Sequence, residues 1–139
     1  MPNSLRSFAL AIWWCEGTKL RKDNRWKNAY LHQIEVTNSN PTIIKIFVNF
    51  LLNDLGVKRE KIKGQIQIHE GDNQGDIEAF WENSTGIPKS QFNKTIVRNK
   101  GSKPHKNKGT FKVRLYNKPL FEKLMVLLKK ELVNIDIGV

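Results

Sequence analysis

The chain has a single cysteine, Cys15, so no disulfide can form within it. It has no long apolar run either: the most hydrophobic stretch, residues 43–52, is interrupted by Lys45 and Asn49 and is too short to cross a bilayer. No charged leader followed by a greasy run opens the sequence, and no lipid-anchor pattern accompanies its basic charge, so an intracellular protein is expected, cytoplasmic or in a nucleoid or organelle. Histidines are few and scattered. His32, His69 and His105 have no Cys or second His at metal-ligand spacing, which argues against a zinc centre and for ordinary polar positions. A Ser/His/Asp constellation and a glycine-rich phosphate loop are both missing, which removes two common catalytic classes. The most telling shortage is of acid. Between residues 83 and 121 there is no Asp or Glu, while Lys89, Lys94, Arg98, Lys100, Lys103, Lys106, Lys108, Lys112, Arg114 and Lys118 supply ten cations.

What is present follows from that imbalance. The 139 residues carry 24 Lys+Arg against 13 Asp+Glu, a formal net charge of +11. Such a surplus favours a polyanionic partner through counterion release and long-range attraction, and nucleic acid is the leading candidate. The centre of the acid-free stretch, residues 99–109, mixes Gly, Pro, Ser and Asn among its lysines and reads as a loop able to follow a phosphate backbone. The length suits one domain, residues 1–139.

Hydrophobic periodicity predicts an α+β chain. A helix over 4–17 is followed by two short strands, over 18–22 and 31–37. Asn40 and Pro41 then open a strongly apolar helix that runs to Leu55 and stops at Gly56. In 61–69, Ile62, Gly64, Ile66 and Ile68 alternate with Lys63, Gln65, Gln67 and His69, the pattern of a strand with one core face and one polar face. An acidic helix over 73–83 buries Ile77, Phe80 and Trp81; its Asp76, Glu78 and Glu82, with Asp72 before it, are expected to cover a solvated side. A strand is possible at 94–98. A clearer one spans 110–116, with Phe111, Val113 and Leu115 inward and Lys112 and Arg114 outward, and Pro119 starts a last helix. Residues 36–41 and 115–119 each lead from a strand through Asn and Pro into a helix, a weak internal repeat. Two such halves give a sheet with helices on one side and an open side that presents Lys63, Gln65, Gln67, Lys112 and Arg114 to base edges and phosphates. Lys94, Arg98, Lys100, Lys103 and Lys106 add backbone contacts from the basic segment.

The opening helix has its own pattern. Ser7, Ala11 and Cys15 recur every fourth residue and make a narrow stripe of small side chains, a surface that lets a second backbone approach closely. Glu16 stands at the end of that helix, just before Gly17. Trp13 and Trp14 lie mid-helix and are expected to pack in the core.

Residues 9–17, Ala-Leu-Ala-Ile-Trp-Trp-Cys-Glu-Gly, resemble the motif helix of the LAGLIDADG homing endonucleases. The order α-β-β-α-β-(α)-β-α resembles that family's core, an antiparallel sheet with helices on one face and an open basic face for DNA; residues 71–108 stand as an insertion carrying the acidic helix and the basic loop. Blocks such as WCEGTK, TNSNPTIIKIF, FWENSTGIP and GTFKVRLYN resemble small single-motif members. The resemblance implies that Ser7, Ala11 and Cys15 form a dimer interface, that Glu16 with Gly17 beside it holds Mg²⁺ or another divalent cation, and that Asn38 and Lys129 assist catalysis, with Lys130 a second basic candidate. The acid is Glu where Asp is commoner, which moves the carboxylate by one methylene. One motif per chain implies a homodimer reading a roughly palindromic duplex. The implied activity is site-specific hydrolysis of DNA phosphodiesters; a DNA-binding regulator or an intron RNA maturase on the same scaffold is the alternative.

Overall fold

The computed structural model describes residues 3–17, 21–22, 30–99 and 108–134. Helix α1 (Asn3–Glu16) buries Ala9, Leu10 and Trp13, the residues that share one of its sides. Helix α2 (Pro41–Asn49) starts where the Asn40 side-chain oxygen accepts the Thr42 amide at 2.9 Å and Pro41 presets the first turn; Ile44, Phe47 and Val48 point inward. It runs on as a π-helical turn, Phe50–Asp54, and is released at Gly56 with φ 68°. That turn carries Asp54 to α1, where the Arg6 guanidinium grips it twice, Nε to Oδ2 at 2.7 Å and Nη2 to Oδ1 at 2.8 Å.

Short strands β1 (Arg21–Lys22) and β2 (Tyr30–Leu31) pair as a separate antiparallel ribbon; the remainder of the strand expected over 18–22 lies outside the described residues. The principal sheet contains β3 (Gln33–Asn38), β4 (Lys63–His69), β5 (Ile96–Arg98) and β6 (Thr110–Tyr116) in the order β3-β6-β4-β5. Central β6 is antiparallel to both neighbours, but β5 runs parallel to β4. The sheet is therefore mixed rather than antiparallel. The reason is the acidic helix, α3 (Gln74–Thr85): it is the crossover that carries the chain from the end of β4 back to start β5 in the same direction, and a parallel pair needs such a crossover. Asn73 caps α3 by accepting the Asp76 amide at 3.1 Å, and Gly86 ends it at φ 72°. The last helix, α4 (Lys118–Asn134), is capped by Asn117, whose side chain accepts the Leu120 amide at 3.0 Å.

One face of the sheet carries Ile34, Val36, Phe111, Val113, Leu115, Ile66 and Ile68, all buried. The helices lie against it: α1 and α4 meet β3, α2 meets β3 and β6, and Trp81 of α3 stacks on Phe111 at 5.1 Å and 20°. Phe92 closes the cluster edge-on to Phe111 at 5.3 Å, and Trp81 Nε1 donates to the Lys108 carbonyl at 2.7 Å. Gly64 makes room for this cluster, since a Cβ there would stand 2.4 Å from Phe111 Cζ. Its apolar-side position in the alternation of β4 is thus a packing requirement. The structure is α+β, and no described helix is long and apolar enough to cross a membrane.

Two stability effects follow. Gly64→Ala must displace the Phe111 ring and is expected to lower stability by about 1–3 kcal/mol, read as a lower urea midpoint at unchanged slope. The hydrogen bonds and charge of Arg6 hold the Asp54 carboxyl below its ordinary value despite burial, so this pair stabilises fully above that value and its contribution fades as pH falls through the lowered one. Arg6→Met is expected to cost about 1 kcal/mol at pH 7, because Arg6 itself is partly exposed, and the gap to the parent chain should close in denaturant titrations at strongly acid pH.

Candidate nucleic-acid interface

The second face of the sheet is polar by register. β3 pairs Glu35 with Arg114, and β4 pairs Lys63 with the same Arg114, so these three residues form one row across the sheet. The next row is Thr37, Lys112 and Gln65, and Gln67 lies opposite Thr110 beyond it. Side chains in a row are neighbours because directly paired residues point to the same side. Lys63 is exposed, and Lys94 and Arg98 are exposed beside the outer edge of β4. Gln65 is tied sideways: its amide donates to the Lys94 carbonyl at 2.9 Å. The expected residues Lys63, Gln65, Gln67, Lys112 and Arg114 thus do share one surface, whereas Lys100, Lys103 and Lys106 lie outside the described residues.

An acid interrupts this surface. Glu35 is only 9% exposed and stands between two of the cations, with Oε1 3.1 Å from Arg114 Nη2 and Oε2 4.0 Å from Lys112 Nζ. Sequence reasoning missed it. The signal was there in the alternation of Gln33, Glu35 and Thr37, but it became readable only once Ile34 and Val36 were known to face the helices.

Glu16 is exposed at the carboxyl end of α1. The helix dipole places negative potential there, so a carboxylate at this end is unfavourable by about 0.3–1 kcal/mol and the position suits a cation. The chain then turns sharply. Gly17 donates to the Trp13 carbonyl at 2.8 Å and forms an antiparallel bridge with Val36, which lays the end of α1 along the edge of β3 on the side that continues to Thr37 and Asn38. Asn38 Oδ1 accepts the Asn40 amide at 2.8 Å, so its oxygen shapes the turn into α2 and its amide group keeps its donors. Among the described residues no group of three or more His, Cys, Asp or Glu side chains gathers at one place.

The outward side of α1 is largely apolar. Phe8 is 61% and Trp14 49% exposed, and Ala11 and Cys15 are exposed with them. Trp14 therefore departs from the core position expected for it, while Trp13 keeps one, edge-on to Phe121 at 5.5 Å. Ser7 does not extend the outward stripe: its hydroxyl donates to Glu131 of α4. Between α1 and α4 runs a groove of about 230 Å³ walled by Trp13, Trp14, Phe121, Met125, Leu128 and Leu132, with Lys129 at its rim. Lys129 thus belongs to the helix layer, and Lys130 lines the adjoining surface with Val126 and Val133.

No family model, curated protein or solved structure matches the chain.

The turn at Gly17 is sterically closed, because a Cβ would stand 2.3 Å from the Trp13 carbonyl oxygen and 2.5 Å from its ring. Gly17→Ala is expected to destabilise by about 1–3 kcal/mol and to move the Trp13 indole, seen together as a lower melting temperature and a shifted tryptophan emission.

Proposed function

We propose that the protein is a homodimeric, Mg²⁺-dependent endonuclease of LAGLIDADG-like architecture that binds duplex DNA on the polar sheet face. The assignment rests on α1. A helix with apolar residues on both its core side, Ala9, Leu10 and Trp13, and its outward side, Phe8, Ala11, Trp14 and Cys15, is half-buried in one chain and suited to full burial against a second. Pairing through Ala11 and Cys15 would bring two Glu16 carboxylates together at one end of the seam, under a duplex whose symmetry matches that of the protein. An acid at the wrong end of a helix dipole is a local rule broken, the kind of departure that accompanies a functional site.

The chemistry follows from the donors. The Glu16 carboxylate, doubled by its copy on a second chain, would offer hard oxygen donors suited to a divalent cation. When bound, Mg²⁺ supplies Lewis acidity toward the phosphoryl group and lowers the pKa of attacking water. The chain's own side chains hold the duplex: Lys63, Arg98 and Lys94 neutralise phosphates, while Gln65, Gln67, Lys112 and Arg114 face base edges. Asn38, whose amide keeps its donors beside the end of α1, can orient water or phosphate oxygen. Lys129, at the rim of the α1–α4 groove, serves as a cation near the seam.

A second reading is a binding module, a DNA-binding regulator or an RNA maturase. It draws on the same polar sheet face, with Lys63, Lys112 and Arg114 side by side, and needs no cleavage chemistry.

One assay separates the two. With Mg²⁺ and a randomised duplex library, the parent protein is expected to cut a subset of sequences; Glu16→Gln is expected to keep binding and lose cutting by about a hundredfold or more. Ala11→Arg should yield monomers by sedimentation and abolish cutting with the fold intact by circular dichroism. Binding by the parent without any cutting, at every Mg²⁺ concentration, assigns the protein to the binding-module class.

A further inference from the structure

Glu35 is the one carboxylate in the rows that β3, β6 and β4 present on the polar face among the described residues. Its neighbours are the two central cations of that face, Arg114 at 3.1 Å and Lys112 at 4.0 Å. Both cations lie low, with side chains 27% and 31% exposed, whereas Lys63 in the same row is exposed. The acid itself is 9% exposed, so the pairs are partly shielded from solvent and from salt. A surface designed only to attract polyanion would gain by leaving these cations free. Here an acid restrains them.

We infer that Glu35 is a positioning residue that determines sequence selectivity on this face, by holding Arg114 and Lys112 for base edges and withholding them from phosphates. The inference rests on the nucleic-acid reading given above and deepens it. Arg114 engages Glu35 through one hydrogen of Nη2, which leaves the second Nη2 hydrogen to form a planar fork with the neighbouring hydrogen of Nη1 or Nε. A pinned guanidinium loses little side-chain freedom on meeting the O6 and N7 acceptors of a guanine, so the correct base is favoured without a general rise in affinity. The Glu35 charge repels a phosphate that approaches the same spot, which penalises docking out of register. Lys63, Lys94 and Arg98 remain available around this centre to supply sequence-independent attraction. The division is between a restrained centre and a freer rim.

The test compares the parent, Glu35→Gln and Arg114→Lys on a duplex selected from a randomised pool and on a scrambled duplex, each over a range of KCl concentrations. Glu35→Gln frees two cations for phosphate, so the slope of log affinity against log salt should steepen by about one to two and scrambled-duplex binding should tighten. The ratio of selected to scrambled affinity should fall about tenfold. Arg114→Lys keeps the charge and loses the fork, so it should lose selectivity at one base pair with the salt slope unchanged, and it carries the test if the Glu35 variant does not fold. A purely structural Glu35 would change melting temperature and leave the salt slope where it was; that result overturns the inference while leaving duplex binding standing. Failure of the parent to select any duplex overturns the inference and the nucleic-acid reading together.

Discussion

Strand β6 is hydrogen-bonded on both sides, to β3 and to β4, and its register decides what each face of the molecule is. Phe111, Val113 and Leu115 meet Trp81, Phe92 and the helices on one side; Lys112 and Arg114 meet Glu35, Lys63 and Gln65 on the other. A slip by one residue would exchange the two sets, burying two cations and exposing three large apolar side chains. The stack of Trp81 on Phe111, with Gly64 small enough to admit the ring, is what makes that slip unfavourable. The core and the proposed interface therefore share a cause.

The same sheet organises the rest of the candidate site. Gly17 reaches Val36 at the edge of β3, so the end of α1 and its acid are placed by the strand that also carries Glu35. At the far end of α1, the Arg6–Asp54 pair ties the helix to the turn after α2, and Ser7 ties it to Glu131 of α4. These three attachments hold α1 with its apolar outward side presented, a geometry suited to a partner helix. Charge on the polar face is handled in a corresponding way, with a centre neutralised in part by Glu35 and cations left at the margins.

Much of this was legible from residue order. The alternation in 61–69 and 110–116 named the inward and outward residues of β4 and β6, and Asn40, Pro41 and Gly56 sat where a helix start needs a capping side chain and a preset turn and its end a left-handed residue. Other features were not. The direction of β5 depends on which edge of the sheet remains open after β6 has inserted between β3 and β4, a long-range outcome that a three-residue strand does not encode. Ser7 looked identical in kind to Ala11 and Cys15, yet α4 packs close enough to take its hydroxyl. Trp14 looked like Trp13, and one position around the helix separates a buried ring from a half-exposed one.

Local patterning, which needs only the repeat of two or of three and a half residues, determined by itself most of the helices and strands, the start of α2 at Asn40, the apolar and polar sides of the central strands and the basic excess that points to a polyanion. Tertiary structure alone decided which charges meet. Glu35 lies 79 positions before Arg114 in the chain and 3.1 Å from it in space, because β3 and β6 are neighbours in the sheet and not in sequence.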